Sequence, residues 1–260
     1  MIPKRIHYCW FGGNPLPKLA KKCIKSWKKY CPDYEIVCWD ESNYDISAAP
    51  LYVRQAYEAK KWAFVTDYVR LQVVYDHGGI YLDTDVELIK SFDSLLEYNA
   101  FFGFEDDQYI ATGLGFGSEK GGNILYTLME DYRDTPFCLS DNVFDLTPCP
   151  KRNLGAFCRN GFVPDNTFQV VNNCAVLPKD YLCPVECESG RKKITDNTIA
   201  IHWFAASWLP ESLLKKRIVN KRKIQRADFL HDIFHIPNRM ALAILGEQEY
   251  RKLKQKVKSE

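Results

Sequence analysis

Two aspartates one residue apart, Asp83 and Asp85, end the stretch WAFVTDYVRLQVVYDHGGIYLDTDVE at positions 62–87. Carboxylates in that arrangement suit a hard divalent cation, since Mg²⁺ or Mn²⁺ is commonly held by one or two carboxylates plus the phosphates of a ligand. A lone Asp-x-Asp is also a common solvated turn, so the weight falls on what precedes it. Phe64, Val65, Tyr68, Leu71, Val74 and Tyr75 recur at helical spacing and predict a buried helix. Asp67 and Arg70, three apart, share one side of it. Gly78-Gly79 stop the helix and turn the chain. Ile80-Tyr81-Leu82 then reads as a short buried strand that delivers Asp83-Thr84-Asp85 at its C-terminal end, which in an open α/β sheet is where ligands bind.

The elements that must position this stretch are legible on both sides of it. Residues 5–10 read as a first strand ending in Gly12-Gly13, and residues 18–30 as a basic amphipathic helix preceded by Pro15 and Pro17. Residues 34–39 read as a second strand with Asp40-Glu41 at its tip, an opening that suits a nucleotide-binding α/β half. A helix is expected over 51–60, a turn and short helix over 88–96, and strands over 100–104 and 109–116. Further on, a helix is expected over 123–132, a helical piece over 154–159, and strands over 168–177 and 199–203. Residues 133–165 are otherwise rich in Pro, Cys and Asn without a clear period.

The chain has 260 residues, 46% hydrophobic and 26% charged, which is globular composition with enough length for a sizeable core. The net charge of +2 is unevenly placed: residues 211–260 hold 13 Lys/Arg against 6 Asp/Glu, the rest 22 against 27. That basic segment reads as largely helical, broken at Pro237. Ten cysteines come without a CxxC pair, a signal-peptide pattern or an Asn-x-Ser/Thr sequon, so reduced thiols in a cytoplasmic setting are expected. A zinc among Cys158, Cys174, Cys183 and Cys187 is disfavoured by the same lack of pairs. No apolar run approaches a membrane span. The acidic body and the lack of a recognition module speak against nucleic acid.

The stretch 63–85 resembles the DXD-containing sugar-nucleotide site of glycosyltransferase family 32, which includes yeast mannosyltransferases, bacterial capsule and lipopolysaccharide transferases, and relatives of the clostridial glucosylating toxins. The resemblance extends to Ile2–Gly13 (IPKRIHYCWFGG) and to His202–Trp208 (HWFAASW), in the same order. It implies a single GT-A domain of Rossmann-like α/β fold over 1–210, with 211–260 as a helical extension. It implies a metal-dependent, retaining hexosyltransferase that uses a nucleotide-diphosphate sugar, UDP-linked by preference, and a glycan or lipid-linked oligosaccharide acceptor. Capsule or lipopolysaccharide synthesis is the expected setting.

Residue by residue, the resemblance implies that Asp67 and Arg70 bind the donor sugar. Asp85 ligates Mn²⁺ or Mg²⁺ directly, with Asp83 at the ribose or metal. Tyr81 points its hydroxyl into the same pocket, and Trp10 stacks on the base. His202 is a candidate third ligand or phosphate contact, and Ser207 and Trp208 belong to a loop that closes over the diphosphate. Each has a plainer alternative: Trp10, Tyr81 and His202 as core residues, and Asp67 with Arg70 as a helical ion pair. Glu87 is expected on the solvent side, and Asp141 and Asn142 are weaker candidates for holding sugar or acceptor. The basic 211–260 segment is either a solvated helical face or a patch for the inner face of a membrane. Two other functions share parts of the pattern: a non-catalytic sugar-nucleotide-binding module, and a dehalogenase-like phosphohydrolase, which wants Thr or Val where this chain has Glu87.

Overall fold

A computed structural model describes residues 1–205 and 245–257, together with residues 216, 218–220, 223–224 and 227. The chain divides into two compact units, Met1–Val185 with Lys192–Trp208, and Glu186–Arg191 with Leu209–Glu260. In the second, Glu247–Val257 is helical. The rest of the expected extension, including the break at Pro237, lies outside the described residues, as do Ser207 and Trp208.

The first unit is built on a seven-stranded mixed sheet. Its strands are β1 (Arg5–Cys9), β2 (Glu35–Trp39), β3 (Gly79–Tyr81), β5 (Ala100–Gly103), β6 (Phe116–Ser118), β9 (Gln169–Val171) and β10 (Cys174–Leu177), in the order β2-β1-β3-β6-β5-β10-β9. β2, β1 and β3 run parallel, as do β5 and β10, while β6 and β9 run against their neighbours. Between β3 and β5 the chain forms β4 (Val86–Leu88), which pairs antiparallel with β11 (Ala200–His202) outside the main sheet. β7 (Cys138–Ser140) and β8 (Val143–Phe144) form a small hairpin. This is the α/β architecture expected of a GT-A-type domain.

Alternation along the strands sends side chains to two cores. Cys9, Tyr81, Ala100, Phe102, Cys174 and Val176 enter one, and Ile6, Ile80, Phe101, Ala175 and Leu177 the other. A sheet buried on both faces needs apolar residues at consecutive positions, which is why Ala100–Gly103 and Cys174–Leu177 lack polar residues. The first core is covered by α2 (Leu51–Glu58), α3 (Trp62–His77), α4 (Asn123–Arg133) and α5 (Cys149–Arg159). The second is covered by α1 (Lys18–Tyr30) and by the β4–β11 pair, with α6 (Lys179–Leu182) beside it.

Several expectations are corrected. Residues 109–116 do not form a strand: only Ile110 bridges Phe104, and the chain turns through Gly113 and Gly115, the latter at φ 116°, before β6 begins at Phe116. The expected single strand over 168–177 is a hairpin whose turn places Asn172 and Asn173 at φ 50° and 58°. The helical piece begins five residues earlier than expected, with Pro148 before it and Pro150 in its first turn, where a missing N–H costs nothing. All ten cysteines are free, and Cys9, Cys23, Cys31, Cys174 and Cys183 are buried. Apart from the acidic group described below, no cluster of three metal-ligating side chains occurs among the described residues.

Candidate functional site

Helix α3 lacks an amphipathic stripe because most of it is enclosed; even Asp67 and Arg70 lie in its buried set. Their side chains are 10% and 4% exposed, and Arg70 Nη2 donates to Asp67 Oδ1 at 2.7 Å. Arg70 Nε donates to the Thr66 carbonyl at 2.9 Å, which fixes the guanidinium plane, and Nη1 is left 3.6 Å from Asp83 Oδ2. The guanidinium also rests 5.2 Å from the Tyr81 ring centre. One arginine therefore joins the helix aspartate to the first aspartate of the DXD. Burial pushes the Asp67 carboxyl above its ordinary value, and Arg70 opposes that shift.

The turn that brings α3 back to the sheet requires its glycines. Gly78 caps the helix at φ 65°, and at Gly79, φ 116°, a Cβ would lie 2.8 Å from the Arg5 carbonyl oxygen and 3.0 Å from His7 Nε2. His7, on β1, is fully buried there: Nε2–H donates to the Gly78 carbonyl at 2.9 Å and Nδ1 accepts from Trp39 Nε1 at 2.9 Å. Accepting from Trp39 needs the neutral ring with its proton on Nε2, and burial lowers the His7 pKa to about 4, against the Gly78 bond, which acts to raise it.

β3 then delivers the acidic pair. Tyr81 is buried, and its hydroxyl donates to Asp83 Oδ1 at 2.9 Å. Burial raises the Asp83 carboxyl, with Arg70 pulling the other way. Asp85 is placed differently. The β4–β11 pairing sets His202 opposite Val86, so that His202 Nε2 lies 3.3 Å from Asp85 Oδ1, while the Ala205 N–H donates to Asp85 Oδ2 at 2.7 Å. The carboxyl falls to about 2: burial acts to raise it, but His202 and the Ala205 amide outweigh that. Burial disfavours the charged form of His202, yet Asp85 holds its pKa well above the ordinary value.

Asp83, Asp85 and His202 can each turn one ligand atom to a common point, all within 4.8 Å of one another. Two carboxylates and one imidazole fit a divalent ion, and the nitrogen suits Mn²⁺ or another first-row transition ion better than Mg²⁺ or Ca²⁺. The third candidate ligand comes from a strand 117 positions beyond Asp85, joined to the DXD through backbone pairing.

Trp10 follows β1 at the same carboxyl edge as the DXD, because β1 and β3 are parallel neighbours with His7 opposite Tyr81. Its ring is half-buried, with Nε1 donating to the Asn14 carbonyl at 2.5 Å and its backbone N–H to Trp39. The indole edge is held while part of the ring faces out. Glu87 is a correction: its side chain is 19% exposed, ion-paired to Lys22 at 2.7 Å and accepting from Trp203 Nε1 at 2.9 Å. It braces the site from behind. Asp141 and Asn142 form the tip of the β7–β8 hairpin, Asn142 at φ 58°, and no contact joins them to the acidic site among the described residues.

Three participants were not singled out by sequence reasoning. At Gly113 a Cβ would sit 2.8 Å from Asp83 Oδ2 and 3.1 Å from Arg70 Nη1, so backbone closes directly over the Arg70–Asp83 contact. The signal was present in ATGLGFG, where a strand does not account for glycines at 113 and 115. Cys149, half-buried at the start of α5, lies against Thr112 and Asp67. Arg152, three residues on, pairs with Asp145 and lies 5.0 and 5.2 Å from the ring centres of Tyr52 and Tyr132. Neither had a local pattern that distinguished it.

Residues 17–102 match the family described as the glycosyltransferase sugar-binding region containing a DXD motif, the family that the stretch 63–85 resembles. The chain is 38% identical over 104 residues to inositol phosphoceramide mannosyltransferase 3 of Schizosaccharomyces pombe, covering 38% of this chain and 29% of that protein. It is 25% identical over 129 residues to subversion of eukaryotic traffic protein A of Legionella pneumophila, covering 40% of this chain and 20% of that one. The chain thus spans less than a third of either relative. Among solved structures, the PaToxG glycosyltransferase aligns with a TM-score of 0.49 at 21% identity, over 61% of this chain and 68% of that one.

Proposed function

We propose, from the DXD-containing sugar-binding region that residues 17–102 match, that the protein is a metal-dependent glycosyltransferase. In this reading it moves a hexose from a nucleotide-diphosphate sugar to a glycan or lipid-linked acceptor, with retention at the anomeric carbon. The observation that carries the proposal is the convergence of Asp83, Asp85 and His202 at the strand tip, with Arg70 spanning Asp67 and Asp83.

Asp83, Asp85 and His202 would hold the ion, Mn²⁺ by preference. When bound it neutralises charge on the departing diphosphate. The protein's own groups do the rest. Arg70, permanently charged and fixed by Thr66 and Asp67, is placed to orient the sugar and its phosphate. Asp67 and the Tyr81 hydroxyl hold Arg70 and Asp83 in their rotamers, and Trp10 offers a ring face to the base. The acceptor hydroxyl attacks on the face from which the diphosphate leaves. The C1–oxygen bond to phosphate breaks as the new one forms, and the hydroxyl proton passes to the departing phosphate oxygen. No protein nucleophile is required.

The relative named as an inositol phosphoceramide mannosyltransferase sets a mannose donor and a lipid-borne acceptor beside the UDP-linked donor and the surface-polysaccharide setting expected from sequence. Such an acceptor would place the protein at a membrane surface. No helix among the described residues is long and apolar enough to cross a membrane. Turnover of UDP-hexoses and of GDP-mannose, each with Mn²⁺ and with EDTA, tests the proposal. Metal-dependent release of one nucleotide diphosphate supports it; no release from any donor, with or without acceptor glycans, overturns it.

A further inference from the structure

Helix α1, KLAKKCIKSWKKY, carries six lysines and no acidic residue. Lys18, Lys21, Lys25 and Lys28 follow one another at spacings of three and four, a single line along a helix about 20 Å long, with Lys22 and Lys29 beside it. All six are exposed. The opposite face is anchored in the body: Ala20, Cys23 and Trp27 are buried, Trp27 Nε1 donates to the Val86 carbonyl at 2.7 Å, and the Leu88 N–H donates to Ser26 Oγ at 2.9 Å. Anchoring and charge are thus cleanly divided between two faces.

This charge opposes the helix's own stability. Lysines three and four apart repel, and no acidic residue on α1 relieves any such pair. Lys18, Lys21 and Lys22 stand in the first turns, where the helix dipole favours anions and no acidic residue occurs, while Lys28 and Lys29 stand in the last turn, where the dipole favours them. Of these six lysines only Lys22 has an ion-pair partner among the described residues, Glu87, and Lys29 Nζ donates to its neighbour Tyr30 Oη at 3.2 Å. Lys18, Lys21, Lys25 and Lys28, the line itself, have no ion-pair partner among the described residues, and uncompensated like charge on one face points to a partner of opposite charge.

We propose that the lysine line of α1 docks the protein on an anionic lipid surface. Clustered lysines on an exposed helix are each worth about fivefold in partition to such a surface at low salt. The line carries lysine rather than arginine and offers no exposed aromatic ring between its charges, so it lacks the stacking groups that single-stranded nucleic acid would need. Its position gives docking a use. α1 starts from the carboxyl edge of β1, packs on β4 directly after the DXD, and places the Lys22 ammonium on Glu87 and 5.2 Å from the Trp203 ring centre. Docking along α1 would present the donor site to acceptors borne by the same surface. That use rests on the glycosyl-transfer reading; the docking itself does not.

The test compares the full chain with Lys18→Gln/Lys21→Gln/Lys25→Gln/Lys28→Gln, which leaves Lys22 and the acidic site untouched. Both are sedimented with vesicles of pure phosphatidylcholine and of equimolar phosphatidylcholine and phosphatidylserine, at low and high salt. The basic segment 211–260 is present in both proteins, so their difference reads α1 alone. The native chain is expected to bind only the anionic vesicles, more weakly in high salt, and the variant to bind them at least tenfold less. The variant's melting temperature should be unchanged or raised, since repulsion is relieved, and its binding of UDP or GDP with Mn²⁺ should be unchanged. Equal sedimentation of the two proteins, absence of native binding, equal native binding to uncharged vesicles, or tighter binding to single-stranded DNA than to anionic vesicles would each overturn the proposal. Loss of nucleotide binding by both proteins would count against the transfer reading and leave the docking result standing.

Discussion

At the scale of single residues, the site is a chain of dependencies that starts from Arg70. Asp67 is buried and its carboxylate is tolerable only beside the guanidinium, so removing Arg70 alone strands a charge. Arg70→Met should destabilise the fold by about 3–5 kcal/mol and abolish turnover. The double change Asp67→Leu/Arg70→Met should recover most of the stability and none of the turnover. Denaturant titration of the three variants measures this, and a double variant no more stable than Arg70→Met would show that the pair is not what the site leans on. Asp85→Asn keeps an oxygen for the Ala205 amide, so the fold should survive while metal-dependent turnover falls at least ~100-fold, the scale of losing one preorganised charge contact. Circular dichroism and donor turnover check both halves of that expectation. Gly113→Ala inserts a methyl 2.8 Å from Asp83 Oδ2. It should cost about 1–3 kcal/mol of stability by overpacking and lower turnover at temperatures where the variant is fully folded. Unchanged turnover there would mean that Asp83 can move without consequence.

At the scale of elements, local patterns and long-range pairings separate sharply. Helix α3, its glycine stop and the strand that carries the DXD were all legible, because helical spacing, paired glycines and a short apolar run lie within one stretch of 26 residues. The role of His202 was open from sequence because its position depends on β11 lying against β4, a pairing between segments more than 110 residues apart. Cys149 takes its meaning from Asp67, and Gly113 from Asp83 and Arg70, neighbours that only tertiary structure brings near. The strand expected over 109–116 failed because alternation there was produced by glycines that turn the chain.

His7 gives the element scale its own test. Its Nδ1 accepts from Trp39 on β2 only while the ring is neutral, whereas its Nε2–H bond to the Gly78 turn survives protonation. Its pKa is about 4 in the fold against roughly 6.5 unfolded. Between those values the unfolded chain holds more protons, so stability is complete above pH 6.5 and declines as pH falls toward 4, by up to on the order of 3 kcal/mol. Chemical denaturation across that window should show the decline, and His7→Gln, whose amide can still donate to Gly78, should flatten it. An equal slope in both proteins would remove His7 from the account.

At the scale of the whole molecule, a sheet buried on both faces leaves one carboxyl edge for chemistry, and the chain spends its distinctive residues there. Trp10, Asp83 and Asp85 arrive from adjacent parallel strands, Arg70 from the helix behind them, and His202 from a strand that would otherwise be marginal. A seven-stranded sheet with helices on both sides does not itself specify a substrate, so function is argued from the acidic site. The central claim is therefore that this edge binds a nucleotide diphosphate through a metal. Isothermal titration of the intact chain with UDP and with GDP, each in Mn²⁺ and in EDTA, tests it most directly. The expected result is saturable binding of one nucleotide in Mn²⁺ that disappears in EDTA and in Asp85→Asn. Binding that is indifferent to EDTA, or absent for both nucleotides, would contradict the account.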